Sequence, residues 1–88
     1  MLEVIKEVIE ERKRQDGLWG EQNHHPLEWL SILGEEFGEV CKGAYEAHFD
    51  GHKISGNYSE YRKELIHVAA VAIAAAESLD RQESNEFT

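Results

Sequence analysis

Glu36 and Glu39 stand three residues apart, and Glu64 and His67 repeat that step further along the chain. On a helix, side chains at i and i+3 project from the same side, so each pair presents two oxygen or nitrogen donors in one direction. If the two helices pack antiparallel, as a short connector suggests, the pairs face each other across the bundle. Four converging donors in a semi-buried groove repel one another when empty, and three ionised glutamates require a compensating cation. Oxygen-dominated ligands select a hard ion, magnesium first and manganese second. Spacing alone leaves a plainer reading open. Charge runs such as Glu35-Glu36 also mark a solvated face, and His67, the one polar side chain between Leu65 and Ala76, also suits a core histidine hydrogen-bonded to a neighbour.

The stretch carrying the first pair, ILGEEFGEVCK at 32–42, sets Glu35, Glu36 and Glu39 among Ile32, Leu33, Phe37, Val40 and Cys41, which share a helical stripe. Gly34 and Gly38 lie one turn apart within it. Each glycine costs roughly 1 kcal/mol against alanine in a helix interior, and like charges within a turn cost a few tenths more. The glycines are therefore expected to be contact points where another helix approaches closely. Cys41 is expected in the core as a small apolar residue, since nothing places a base beside it.

Three segments with helical periodicity position these groups, and no run of alternating β-branched residues competes with them. The class is all-α. The first helix is expected over about 2–16, with Leu2, Ile5, Val8 and Ile9 on one stripe and a stop at Asp16-Gly17. LWGEQNHH at 18–25 connects it to a second helix from about Pro26 to Phe49, where proline suits the first helical position and Glu28 the first turn. DGHKISGN at 50–57 is a turn-rich break in which Asn57 and Glu60 resemble a capping box. The third helix is expected from about Ser59 to Leu79, in one domain over 1–80 with a frayed polar tail at 81–88. Between Leu65 and Ala76 that helix is apolar on nearly all sides, which calls for burial on all sides. Three helices cannot easily surround it, so the expectation is a three-helix bundle whose core is completed by homo-oligomerisation, as homodimer or homotetramer.

Composition sets the outer bounds. Eighty-eight residues allow one domain, which buries only about 60–65% of its unfolded surface and is marginal as a monomer. A single cysteine excludes an internal disulfide framework and fits a reducing cytoplasm. Asp plus Glu number 18 against 9 Lys plus Arg, and the net charge of -9 argues against nucleic acid and anionic membrane as partners. The opening MLEVIKEVIEERKRQ lacks the apolar core of a signal peptide, and the longest apolar run, Val68 to Ala76, is far short of the roughly 20 residues that span a bilayer. The expectation is a soluble cytoplasmic protein.

Glu35-Glu36-x-x-Glu39 on one helix followed by Glu64-x-x-His67 on the next resembles the MazG-like branch of the all-α nucleoside triphosphate pyrophosphohydrolases. That family carries a glutamate pair at i, i+3 on one helix and Glu-x-x-Asp on the following one. The strings ERKRQDGLWGEQNHHPLEWLSILGEEFGEVCK and YRKELIHVAAVAIAAAESLDR also look MazG-like, so the resemblance covers nearly the whole chain. It implies a magnesium-dependent hydrolase, with manganese as the alternative ion, that splits a nucleoside triphosphate between its α and β phosphates into monophosphate and pyrophosphate. Glu36, Glu39 and Glu64 would be metal ligands, with Glu35 an outer partner or water-orienting base. His67 occupies the aspartate position, and imidazole is a poor magnesium ligand. The site then keeps fewer metals, prefers a softer ion such as manganese, or binds without catalysing. Asp80 lies over three turns further on and cannot substitute.

Among the other residues, Trp19, Gln22, Asn23 and His25 suit stacking on and hydrogen bonding to a nucleobase, or else anchor the connector and cap the second helix. Lys42 and Arg62, with Arg12, Lys13, Arg14 and Lys63, are phosphate-contact candidates or ordinary solvated charges. Trp29 suits core or subunit interface. Two further functions stay open: a non-catalytic nucleotide- or metal-binding helical module, and a purely structural self-associating bundle.

Overall fold

The computed structural model describes residues 1–49 and 58–82, which form three helices: α1 Leu2–Trp19, α2 Pro26–Phe49 and α3 Ser59–Gln82. The described residues contain no strand. The 50–57 break, with Asn57 of the expected capping pair, and the end of the tail at 83–88 lie outside the described residues.

Helix α1 runs past Asp16-Gly17 and stops at Gly20, whose φ of 69° lies in the left-handed region and whose N–H donates to the Asp16 carbonyl at 2.8 Å. Both glycines are available as stops, and the second takes the conformation that only glycine adopts cheaply. Helix α2 begins with a reciprocal cap. The His25 carbonyl accepts from the Glu28 and Trp29 N–H groups, its Nδ1 accepts from the Leu27 N–H at 3.1 Å, and its own N–H donates to Glu28 Oε1 at 3.0 Å. This is capping-box logic with an imidazole in place of the usual hydroxyl. Helix α3 continues through Arg81 and Gln82, so the first two residues of the expected tail are helical.

Helix α3 packs against both others. Gly43 of α2 meets Tyr61 near the start of α3, while Arg81 and Gln82 at its end donate to the carbonyls of Gln22 and His24, just ahead of α2; the two helices are antiparallel. Helix α1 lies along another side of α3, tied by Glu7–Arg62 and Arg12–Glu77 ion pairs. Val8 of α1, Trp29, Val40 and Ala47 of α2, and Ala70 and Val71 of α3 form the core.

The close approach is at Gly43, where an added Cβ would sit 3.1 Å from the Tyr61 Cα and N. Gly34 and Gly38 are not contact points among the described residues, where nothing lies within 4 Å of a Cβ at either beyond their own chain neighbours and helix backbone. Cys41 is likewise not in the core: it is exposed, one turn from Phe37, which is 60% exposed. The reason is the angular position of α3. It covers the Trp29–Val40–Gly43–Ala47 side of α2 and leaves an adjoining flank, with Leu30, Phe37 and Cys41, uncovered. Leu65, Ile73 and Leu79 of α3 are also exposed, so one side of this apolar helix meets neither neighbour.

Candidate metal centre

Glu36 projects from the α3-facing side of α2, one turn before Val40, and meets Glu64 and His67 of α3. One ligand atom from each of the three lies within 4.8 Å of the others. All three are half-buried, and among the described residues they form the one group of this kind close enough together to hold an ion. Donors about 2.1 Å from an octahedral ion are roughly 3 to 4.2 Å apart, a spacing that the trio would reach with small side-chain adjustments.

A fourth carboxylate comes from α1, and the acidic motifs do not contain it. Glu11 is buried and accepts from Arg14 Nε at 2.8 Å, Arg14 Nη2 at 2.7 Å and Gln15 Nε2 at 3.2 Å. Its Oε2 stands 3.6 Å from His67 Nε2, while His67 Nδ1 stands 3.4 Å from Glu64 Oε2. The imidazole thus lies between two carboxylates. A sequence signal for Glu11 existed: Val8, Glu11 and Gln15, all buried, follow one another at helical 3 and 4 spacing, so Glu11 continues the buried stripe.

The electrostatics mark an acidic cluster short of positive charge. Burial, then the charge of Glu64, holds the Glu36 carboxyl above its ordinary value of 4.5; Glu39 and Glu11 add to the rise and His67 opposes it. Glu11 moves the opposite way, because hydrogen bonds from Arg14, helped by the charges of His67 and Arg14 and a bond from Gln15, outweigh its burial. Two carboxylates and an imidazole, with one carboxylate resisting ionisation, are a donor set that a divalent cation fits. Glu35 and Glu39 are exposed and lie outside the converged trio, although Glu39 is close enough to raise Glu36. Asp80, near the end of α3, is exposed.

A cavity of about 540 Å³ opens beside Glu36. Trp19, Trp29 and Ile32 supply apolar wall, and Arg12, Gln22 and Arg81 are among its polar groups. Arg12 is held by Asp16 at 3.0 Å and Glu77 at 2.6 Å, and Arg81 by Asn23 at 2.9 Å. Trp29 is buried in a T-shaped contact with the His24 ring, and its Nε1 has no hydrogen-bond partner among the described residues. Of the sequence candidates for a base, Trp19 and Gln22 line this cavity. Asn23 instead pairs with Arg81 and Glu21, and His25 caps α2. Of the phosphate candidates, Arg14, Arg62 and Lys63 line a separate groove between α1 and α3 whose wall includes His67. Arg62 is bound there by Glu7, Lys13 pairs with Glu10 on the surface, and Lys42 is exposed outside both spaces.

No family model, curated protein or solved structure matches the chain. Among the described residues, no helix is long and apolar enough to cross a membrane.

Proposed function

We propose that this chain is a metal-dependent nucleoside triphosphate pyrophosphohydrolase of the MazG-like type, acting on a ribo- or deoxyribonucleoside triphosphate in the cytoplasm. The observation that carries the reading is the convergence of Glu36, Glu64 and His67 beside a cavity walled by two tryptophans. Glu36, Glu64 and His67 would hold the ion, magnesium or manganese. When bound, such an ion neutralises phosphate charge and makes a coordinated water nucleophilic near neutral pH. Trp19 offers flat apolar surface to a base, the buried Trp29 backs the same wall, and the amide of Gln22 offers donors and acceptors to its edge. Glu35 and Glu39, exposed neighbours of Glu36 on α2, would take the proton from the attacking water as the bond between the α and β phosphates breaks and pyrophosphate leaves.

A second reading, a binding module without catalysis, is favoured by His67 at the aspartate position and by Glu35 and Glu39 standing outside the trio. Pyrophosphate release from a panel of nucleoside triphosphates, with magnesium and with manganese, separates the two. Release that Glu39→Gln loses at least about 100-fold supports the enzyme. Nucleotide- and metal-dependent thermal stabilisation without release supports the module.

The working form is proposed to be a homodimer or homotetramer, since α2 and α3 each leave a row of large apolar side chains uncovered. Gly34→Ala and Gly38→Ala test where the copies meet. In the isolated chain each is expected to stabilise by up to about 1 kcal/mol, because nothing opposes the added methyl. If the glycines seat a second copy, each variant instead melts lower and sediments as a smaller species.

A further inference from the structure

The half-buried His67 has a partner on each side, and the partner from α1 has no place in the function above. Glu11 is 8% exposed, and Arg14 and Gln15 fix its carboxylate through three donated hydrogen bonds. Held there, it faces Nε2 of His67 at 3.6 Å, on the far side of the ring from Glu64. A histidine whose outer N–H is directed at a carboxylate keeps the lone pair of its other nitrogen free and correctly aimed, and metal-ligating histidines are commonly supported in this way. Aspartate at the same position would need no such support. The buried carboxylate and the histidine therefore make sense together.

We infer that Glu11 is a positioning residue for His67. Its Oε2, 3.6 Å away and just beyond hydrogen-bond distance, attracts the Nε2–H and turns Nδ1 toward the space between Glu36 and Glu64, and so makes the centre a two-carboxylate, one-imidazole site that prefers a borderline transition ion such as Mn²⁺ over Mg²⁺. The chemistry is that of the donors. Imidazole suits first-row transition ions, whereas Mg²⁺ demands oxygen ligands in near-ideal octahedral geometry. This rests on the reading above that the trio holds a cation. The competing role for Glu11 is structural only, tying Arg14 and Gln15 along its own helix.

Calorimetric titration of the full chain with MnCl₂ and with MgCl₂ distinguishes these roles, on wild type, Glu11→Gln, His67→Asp, the double variant and Glu36→Gln, each checked for helicity. Wild type is expected to bind Mn²⁺ at least about 10-fold more tightly than Mg²⁺, and His67→Asp to lose most of that preference. Glu11→Gln is expected to weaken Mn²⁺ binding about 10-fold, with a smaller change for Mg²⁺. With aspartate at position 67 the same Glu11 change is expected to have almost no effect, because the group it positions is gone. Equal losses in both backgrounds, or no loss in either, overturn the inference, as does an unchanged ion preference in His67→Asp if Glu11→Gln does not fold. Glu36→Gln isolates the underlying reading: if it binds Mn²⁺ like wild type, or if wild type binds neither ion, the metal centre itself is wrong and this inference falls with it.

Discussion

Glu36→Gln is expected to erase metal-dependent stabilisation while raising the melting temperature of the metal-free protein. The two effects have one cause. Burial and the nearby Glu64 hold the Glu36 carboxyl above 4.5, so the folded state binds that proton more tightly than the unfolded chain does. A raised folded-state value means that stability is greatest below the unfolded pKa, falls as pH rises through the interval between the two values, and above it carries the whole penalty. Glutamine has no charge to desolvate, so at pH 7 the variant is free of that penalty. Its metal-free melting temperature is therefore expected to rise.

Glu7 and Glu11, held below their usual range by arginine partners, act in the opposite sense on acidification. The difference between wild type and variant, followed from below 4.5 up to neutral pH, is therefore the quantity that isolates Glu36. With a cation at about 100 times its dissociation constant, wild type should gain on the order of 2.7 kcal/mol, or more than 10 °C. Glu36→Gln should gain almost none of it and should lose pyrophosphate release with it. Differential scanning fluorimetry with and without MnCl₂ measures both; an equal gain in the variant would remove Glu36 from the centre.

Gly43→Leu is expected to cost on the order of 3 kcal/mol, a large part of the 5–15 kcal/mol that holds a domain together. A Cβ at position 43 would meet the Tyr61 Cα and N at 3.1 Å and the Glu60 carbonyl carbon at 3.5 Å. These are backbone atoms, and no rotamer change removes them. The α2 and α3 axes would have to separate at that end, which also loosens the packing of Ala47 nearby on α2. A thermal melt by circular dichroism should show a fall of more than 10 °C, against the opposite shift for Gly38→Ala in the isolated chain. A Gly43→Leu protein melting with wild type would place the closest approach of the two helices elsewhere.

The three glycines of α2 show what a sequence can and cannot carry. All lie within apolar helical pattern, and two of them, Gly34 and Gly38, stand one turn apart in the spacing that suggests a contact. The contact inside this chain is at Gly43, on the face that α3 covers. Glu11 teaches the same point from the other side. It reads as one charge among many on α1, and only the position of α3 turns it into the buried partner of His67. Trp19 at the end of α1 and Gln22 after it reach the cavity, whereas the nearby Asn23 and His25 are spent on Arg81 and on the α2 cap.

The sequence alone determined the all-α class, the limits of α2 from Pro26 to Phe49, and the start of α3 at Ser59. It also determined that Glu64 and His67 share one side of their helix, because these features depend on local periodicity, capping and the fixed φ of proline. Only the tertiary structure decided which sides meet. It brought Glu36 rather than Glu39 to the α3 pair, added Glu11 from α1, and left Phe37 and Cys41 uncovered. A helix's own sequence states which residues share a face, but the angle at which a neighbour docks is set by the sum of many contacts far apart in the chain. That angle separates a half-buried carboxylate facing α3 from an exposed one nearly a turn away.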